Sequence, residues 1–133
     1  MSNKEGVIKY ELSYHQITTN DVINIKEINA WRNILYQYKL IGQEPGRYDG
    51  LGFGNISRRL TAKEKNAYYG AFIITGTQTG HLSELDIESY AVITQFDTRQ
   101  NKISATGPIK PSSEALTHAA IYQANKDIQF VFH

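Results

Sequence analysis

Pro111-Ser112-Ser113-Glu114-Ala115-Leu116-Thr117-His118-Ala119-Ala120-Ile121-Tyr122 leads, after a short polar break, into Ile128-Gln129-Phe130-Val131-Phe132-His133. The reading of the whole chain turns on this stretch. Two serines behind a proline can cap a first helical turn, so residues 112–124 read as a helix. Residues 128–132 are nearly all apolar and of strand length. A carboxylate, Glu114, therefore stands at a helix start, and an imidazole, His133, at a strand end. Taken alone, Glu114 is an acid of the first turn that complements the helix dipole. His118, on the same face, reads as a buried packing histidine. Ser112 and Ser113 sit where free N–H groups favour an anion.

Working outward, residues 90–96 and 102–106 read as a hairpin closed by Asp97-Thr98-Arg99-Gln100-Asn101. Residues 71–75 are a short apolar strand, 56–60 open another, 61–70 read as a charged turn, and 83–88 as a helical turn. Near the start, Ile8, Tyr10, Leu12 and Tyr14 alternate with Lys9, Glu11 and Ser13, which predicts a strand over 7–15. The period then changes. Ile25, Ile28, Trp31, Leu35 and Tyr38, with Ile34 and Ile41 beside them, predict a helix over about 20–40 whose stripe packs in the core. Thr19 or Asn20 would cap it and Gly42 would stop it. Hairpins flanked by two helices point to an α/β layered domain with a mainly antiparallel sheet, not to regular βαβ alternation. With no repeat or linker, residues 1–133 read as a single domain.

Composition excludes several classes. The chain has 133 residues, enough for one sizeable core, with 41% hydrophobic and 20% charged residues. A formal net charge of +1 argues against binding nucleic acid or an acidic membrane through bulk charge. There is no cysteine, hence no disulfide framework or thiolate metal site. Neither a signal peptide nor a membrane-spanning run is present in the sequence, and the expectation is a cytoplasmic protein.

Two loops can meet a ligand. Gly46, Gly50, Gly52 and Gly54 lead into Asn55-Ile56-Ser57, where an amide and a hydroxyl can hydrogen-bond an anionic oxygen. No Gly-Lys-Ser/Thr follows, and the loop leads into a strand, so neither nucleotide-binding fingerprint is met. Thr75-Gly76-Thr77-Gln78-Thr79-Gly80 offers hydroxyls and backbone N–H groups in a tight curve, an anion nest or a hydroxyl-rich turn. His15 and His81 have no partners at ligand spacing and read as surface residues.

Gly54-Asn55-Ile56-Ser57, Phe72-Ile73-Ile74-Thr75-Gly76, Leu82-Ser83-Glu84-Leu85-Asp86-Ile87, Pro111-Ser112-Ser113-Glu114, His118-Ala119-Ala120-Ile121-Tyr122 and Phe130-Val131-Phe132-His133 occur in one order. That ordered set resembles the class II aldolase/adducin family, which includes enzymes of the L-fuculose-1-phosphate aldolase type, from about Asn20 to the last residue. The resemblance implies a metal-dependent lyase or isomerase acting on a small sugar phosphate through an enediolate. Asn55, Thr75-Gly76 and Ser112-Ser113 would hold the phosphate, with Ser57 beside them, and Thr79-Gly80 is the alternative to Thr75-Gly76. Glu114 would be the general acid/base, and His133 the first ligand of Zn2+ or another divalent metal. His118 would pack or support the site. The resemblance also implies a homo-oligomer, a tetramer in the family. The family's second metal histidine falls two residues after the first and a third far downstream, so the chain reads as truncated. On one histidine it is expected to bind metal weakly or not at all. A non-catalytic, adducin-like interaction module is the alternative function.

Overall fold

The computed structural model describes residues 7–18, 22–68 and 70–133. Its strands are β1 (Glu11–Gln16), β2 (Gly42–Gln43), β3 (Gly52–Phe53), β4 (Ile56–Arg59), β5 (Phe72–Thr75), β6 (Tyr90–Asp97), β7 (Lys102–Gly107) and β8 (Phe130–Phe132). The helices are α1 (Lys26–Gln37), α2 (Ala62–Tyr68) and α3 (Ala115–Ala124). Six strands form one sheet in the order β1-β7-β6-β5-β4-β8, and β2 and β3 pair separately. Every pairing is antiparallel except β1 with β7. The result is a mixed α/β domain with a mostly antiparallel sheet.

Side-chain alternation divides the core. Phe72 and Ile74 of β5 pack with Ala115, Ala119 and Tyr122 of α3, and Tyr10 ahead of β1 joins them. Ile73, between those two, packs instead with Ile28 and Leu35 of α1. The hairpin β6–β7 closes as its sequence requires. Asp97 Oδ1 accepts from the N–H groups of Arg99 and Gln100, both at 3.0 Å, and Asn101 takes the left-handed conformation at φ +59°.

Three local expectations need correction. Helix α1 begins at Lys26, with Asn24 Oδ1 accepting from the Lys26 N–H at 3.0 Å. The expected caps Thr19 and Asn20 lie outside the described residues. The helix ends at Gln37, and Lys39 just beyond it turns left-handed (φ +61°), with Leu40 N–H bonding to Leu35 C=O and Lys39 N–H to Tyr36 C=O, so Gly42 is free to enter β2. Its buried line is Ile28, Arg32 and Leu35, whereas Trp31 (51% exposed) and Tyr38 (75%) face solvent. Arg32 takes a core position because backbone carbonyls receive its guanidinium. Residues 61–70, expected as a turn, contain α2.

The signal for α2 is in Thr61-Ala62-Lys63-Glu64, a capping box. Glu64 N–H donates to Thr61 Oγ1 (3.3 Å), and Thr61 N–H donates back to Glu64 Oε1 (2.8 Å). Arg58 on β4 grips both carboxylate oxygens at 2.7 Å, so the cap is also a buried ion pair. Burial alone would push the Glu64 carboxyl up. Hydrogen bonds from Arg58, Thr61 and Asn24, with the Arg58 charge, bring it down to about 2. A carboxylate held below its ordinary value contributes stability that is full above about pH 4.5 and lost as pH falls toward 2. Glu64→Ala is expected to lower unfolding stability by about 3 kcal/mol at neutral pH. In denaturant titrations the gap from wild type should narrow steadily below pH 4.5; a constant gap would contradict the ion-pair account.

Candidate active site

Gly54 sets the site's geometry. Its φ is +88°, and a Cβ there would lie 2.7 Å from Ile41 Cγ1 and 2.8 Å from Ile41 Cα, so only glycine turns the chain from β3 into Asn55. Asn55 then pairs with His133 at the end of β8, each N–H donating to the other's carbonyl at 2.9 Å. Two residues far apart in sequence are thereby set side by side.

Behind Asn55 runs a chain of hydrogen bonds. His118 of α3 is fully buried between Asn55 Oδ1 (2.5 Å from Nε2) and Ser57 Oγ (2.6 Å from Nδ1). Burial, reinforced by nearby His133, lowers its pKa to about 3, so the ring is neutral and has one N–H to give. With Asn55 Oδ1 as acceptor, Nε2 carries that proton and Nδ1 accepts from the Ser57 hydroxyl. Ser57 Oγ accepts in turn from the Tyr122 hydroxyl at 2.7 Å. The Tyr122 phenol, pushed up to about 12 mainly by burial, stays protonated. In this arrangement the Asn55 carbonyl faces the imidazole and its NH2 faces away. That NH2 has no hydrogen-bond partner among the described residues. Asn55 is itself buried, at 3% exposure, so its NH2 shows at most a small edge of surface; the sealed side-chain atom without a partner among the described residues is Arg32 Nε.

A second line of contacts continues from Asn55. Thr75 Oγ1, at the end of β5, accepts from Ile56 N–H (3.2 Å), and its carbonyl accepts from Ser112 N–H (3.0 Å). A bridge between Gly76 and Pro111 holds the two segments together. Ser112 Oγ accepts from Glu114 N–H at 3.2 Å, and Ser112 C=O receives both the Ala115 N–H (3.1 Å) and the Tyr10 hydroxyl (2.9 Å). Half-buried Ser113 has no hydrogen-bond partner among the described residues. Glu114 stands at the N-cap position of α3 without a side-chain capping bond; its Oε2 accepts from the Thr117 hydroxyl at 3.2 Å, one turn before His118.

Asn55, Thr75, Ser112, Ser113, Glu114 and His133 are thus linked into one region. Two candidates have other partners. The Ser57 hydroxyl gives its proton to His118 and keeps none for an anion, so Ser57 lies behind the site. Gly76 N–H donates to Ser89 C=O at 2.7 Å, and a Cβ there would come within 2.5 Å of Ile109. The Thr79 hydroxyl donates to Gly76 C=O (2.9 Å), but the N–H groups of Thr79 and Gly80 have no partner among the described residues. A cleft of about 680 Å3 lined by Asn24, Arg58, Glu64 and Phe130 contains none of these site residues.

His118 supports the site from behind, one of the two roles expected of it; Tyr122, one helical turn away on the same face, was not expected to join it. The missing signal was Ser57, whose pairing with them depends on β4 passing beneath α3.

A catalytic divalent ion takes three protein ligands. Among the described residues no three His, Cys, Asp or Glu side chains are grouped in that way. His118 has both ring nitrogens engaged, which leaves His133 as a single imidazole. The residues present do not by themselves fit a bound metal, and no chemical step is assigned to one.

This mixed α/β domain carries a rim of neutral donors and a carboxylate at the start of α3. The sequence model of the class II aldolase and adducin N-terminal domain family matches residues 33–133, and the chain belongs to that family. No curated protein and no solved structure matches it.

The buried imidazole makes stability sensitive to acid. His118 is held below its unfolded value, so the unfolded chain takes up a proton that the folded chain refuses. Stability is full above about pH 6.5 and declines as pH falls toward 3. His118→Gln is expected to remove a slope of up to about 1.4 kcal/mol per pH unit between roughly pH 6 and 5. Denaturation midpoints across that interval check this, and an unchanged slope would contradict it.

Proposed function

We propose that this domain anchors a small sugar phosphate and moves a proton on it, in the enediolate chemistry of an aldol cleavage, epimerisation or dehydration. The observation that carries this reading is the Asn55 amide, whose carbonyl meets a neutral imidazole and whose NH2 has no partner among the described residues, bordered by Thr75 and the Ser112-Ser113 turn. Neutral donors at the start of a helix suit a phosphate, because amide and hydroxyl hydrogens join the partial positive charge of the helix end. Family membership supports a small-molecule substrate and assembly into oligomers. The reading includes the layered α/β/α arrangement, a single domain over 1–133, and His133 as one ligand of a divalent metal.

In this reading Glu114 takes a proton from the carbon beside the substrate carbonyl and returns it. Its backbone is fixed by Ser112, and its Oε2 by Thr117. A carboxylate so held keeps one orientation, and positioned proton transfer contributes about 100-fold or more to rate. The adducin-like alternative, a module that keeps the fold for protein association, draws on one observation, the single available imidazole.

Two measurements test the proposal. Calorimetric binding of dihydroxyacetone phosphate and of dihydroxyacetone should show Asn55→Ala weakening the phosphorylated ligand by about tenfold while barely changing the other. Equal losses would remove Asn55 from the anchoring role. Deuterium incorporation into dihydroxyacetone phosphate, followed by NMR, should slow about 100-fold in Glu114→Gln; unchanged incorporation would reject the proton-transfer role.

A further inference from the structure

Arg32 is the largest fully buried side chain of the domain, at 1% exposure. It forms no ion pair among the described residues. Its guanidinium lies 5.0 Å from the Tyr36 ring, and its Nε has no partner among the described residues. Burying a charge without a counter-charge costs several kcal/mol, so hydrogen bonds must offset it. Three carbonyls do so. Nη1 donates to Leu82 C=O at 2.5 Å, and Nη2 to Thr79 C=O at 3.0 Å and, more weakly, to Gly80 C=O at 3.4 Å.

This grip has a consequence for the opposite side of the loop. No peptide bond is cis among the described residues, and a trans peptide points its N–H opposite to its C=O. With the Thr79 carbonyl on Arg32, the Gly80 N–H points away from it, and the His81 N–H likewise through the Gly80 carbonyl. Gly80 is buried, yet neither its N–H nor that of Thr79 has a partner among the described residues. Buried backbone donors without partners are rare and call for an acceptor. The same loop is pressed against the strand leading into Asn55: a Cβ on Gly80 would lie 2.4 Å from Phe53 O and 2.7 Å from Phe53 N.

We propose that Arg32 is a positioning residue for the anionic end of the ligand. It holds the carbonyls of Thr79, Gly80 and Leu82 behind the loop, so that the Gly80 N–H is presented beside Asn55, and it adds a positive charge that the neutral rim lacks. The inference rests on the phosphate-anchoring reading above. Lysine retains the charge but not the fork that spans several carbonyls, which makes Arg32→Lys the informative substitution.

The test is a titration of the 15N-labelled protein with inorganic phosphate near neutral pH. In the wild type, the Gly80 backbone amide and the Asn55 side-chain amide should shift together with one dissociation constant. In folded Arg32→Lys the constant should rise about tenfold and the Gly80 response should vanish while the Asn55 response remains. An unchanged constant and an unchanged Gly80 response would overturn the proposal. Should Arg32→Lys fail to fold, the wild type decides: Gly80 silent while Asn55 responds rejects it, and both responding supports it. If neither responds, the anchoring reading falls, and this inference with it.

Discussion

A neutral imidazole sealed under a helix is the constraint on which the site depends. His118 cannot hold a second proton without placing a charge in the core, so it has one N–H to give and one lone pair to fill. Asn55 takes the first, and Ser57, backed by Tyr122, supplies the second. Asparagine has no charge to orient it, and its amide can rotate. The imidazole removes that freedom and turns a flexible side chain into a directed donor. The same bonds tie β4 to α3, so orientation at the site and cohesion of the fold share one set of atoms.

Two buried arginines illustrate different solutions to the same difficulty. Arg58 meets the Glu64 carboxylate, and the pair joins β4 to the start of α2. Arg32 has no such partner among the described residues and is held by backbone carbonyls, with the Tyr36 ring beside it. The first arrangement is self-contained, with charge answered by charge. The second leaves a positive charge and unpartnered N–H groups near the loop that borders Asn55, and so belongs with recognition as much as with stability.

Much of this was legible in the sequence because strand alternation and helix starts are local. The alternating Ile8, Tyr10, Leu12 and Tyr14 do lie against the core, and the hairpin turn at Asp97 closes as its residue types require. Ordered motifs brought the family within reach, and the match over residues 33–133 agrees. Illegible parts were decided by distant partners. Trp31 and Tyr38 fit a helical stripe as well as Leu35 does, but only the loop at residues 79–82 makes position 32 the buried one. Ser57 looks like a ligand-facing hydroxyl until α3 lies over it. Helix α2 is a different case: its capping box is local, and the density of charge around it hid the signal.

The central claim concerns one ring and is best tested there. In 15N NMR spectra of the histidine side chains, His118 should remain a neutral tautomer protonated at Nε2, with Nδ1 bare, from neutral pH down to about pH 5. An imidazolium at that pH, or a proton on Nδ1, would mean that Asn55 is not aimed as described, and the donor rim would lose its physical basis.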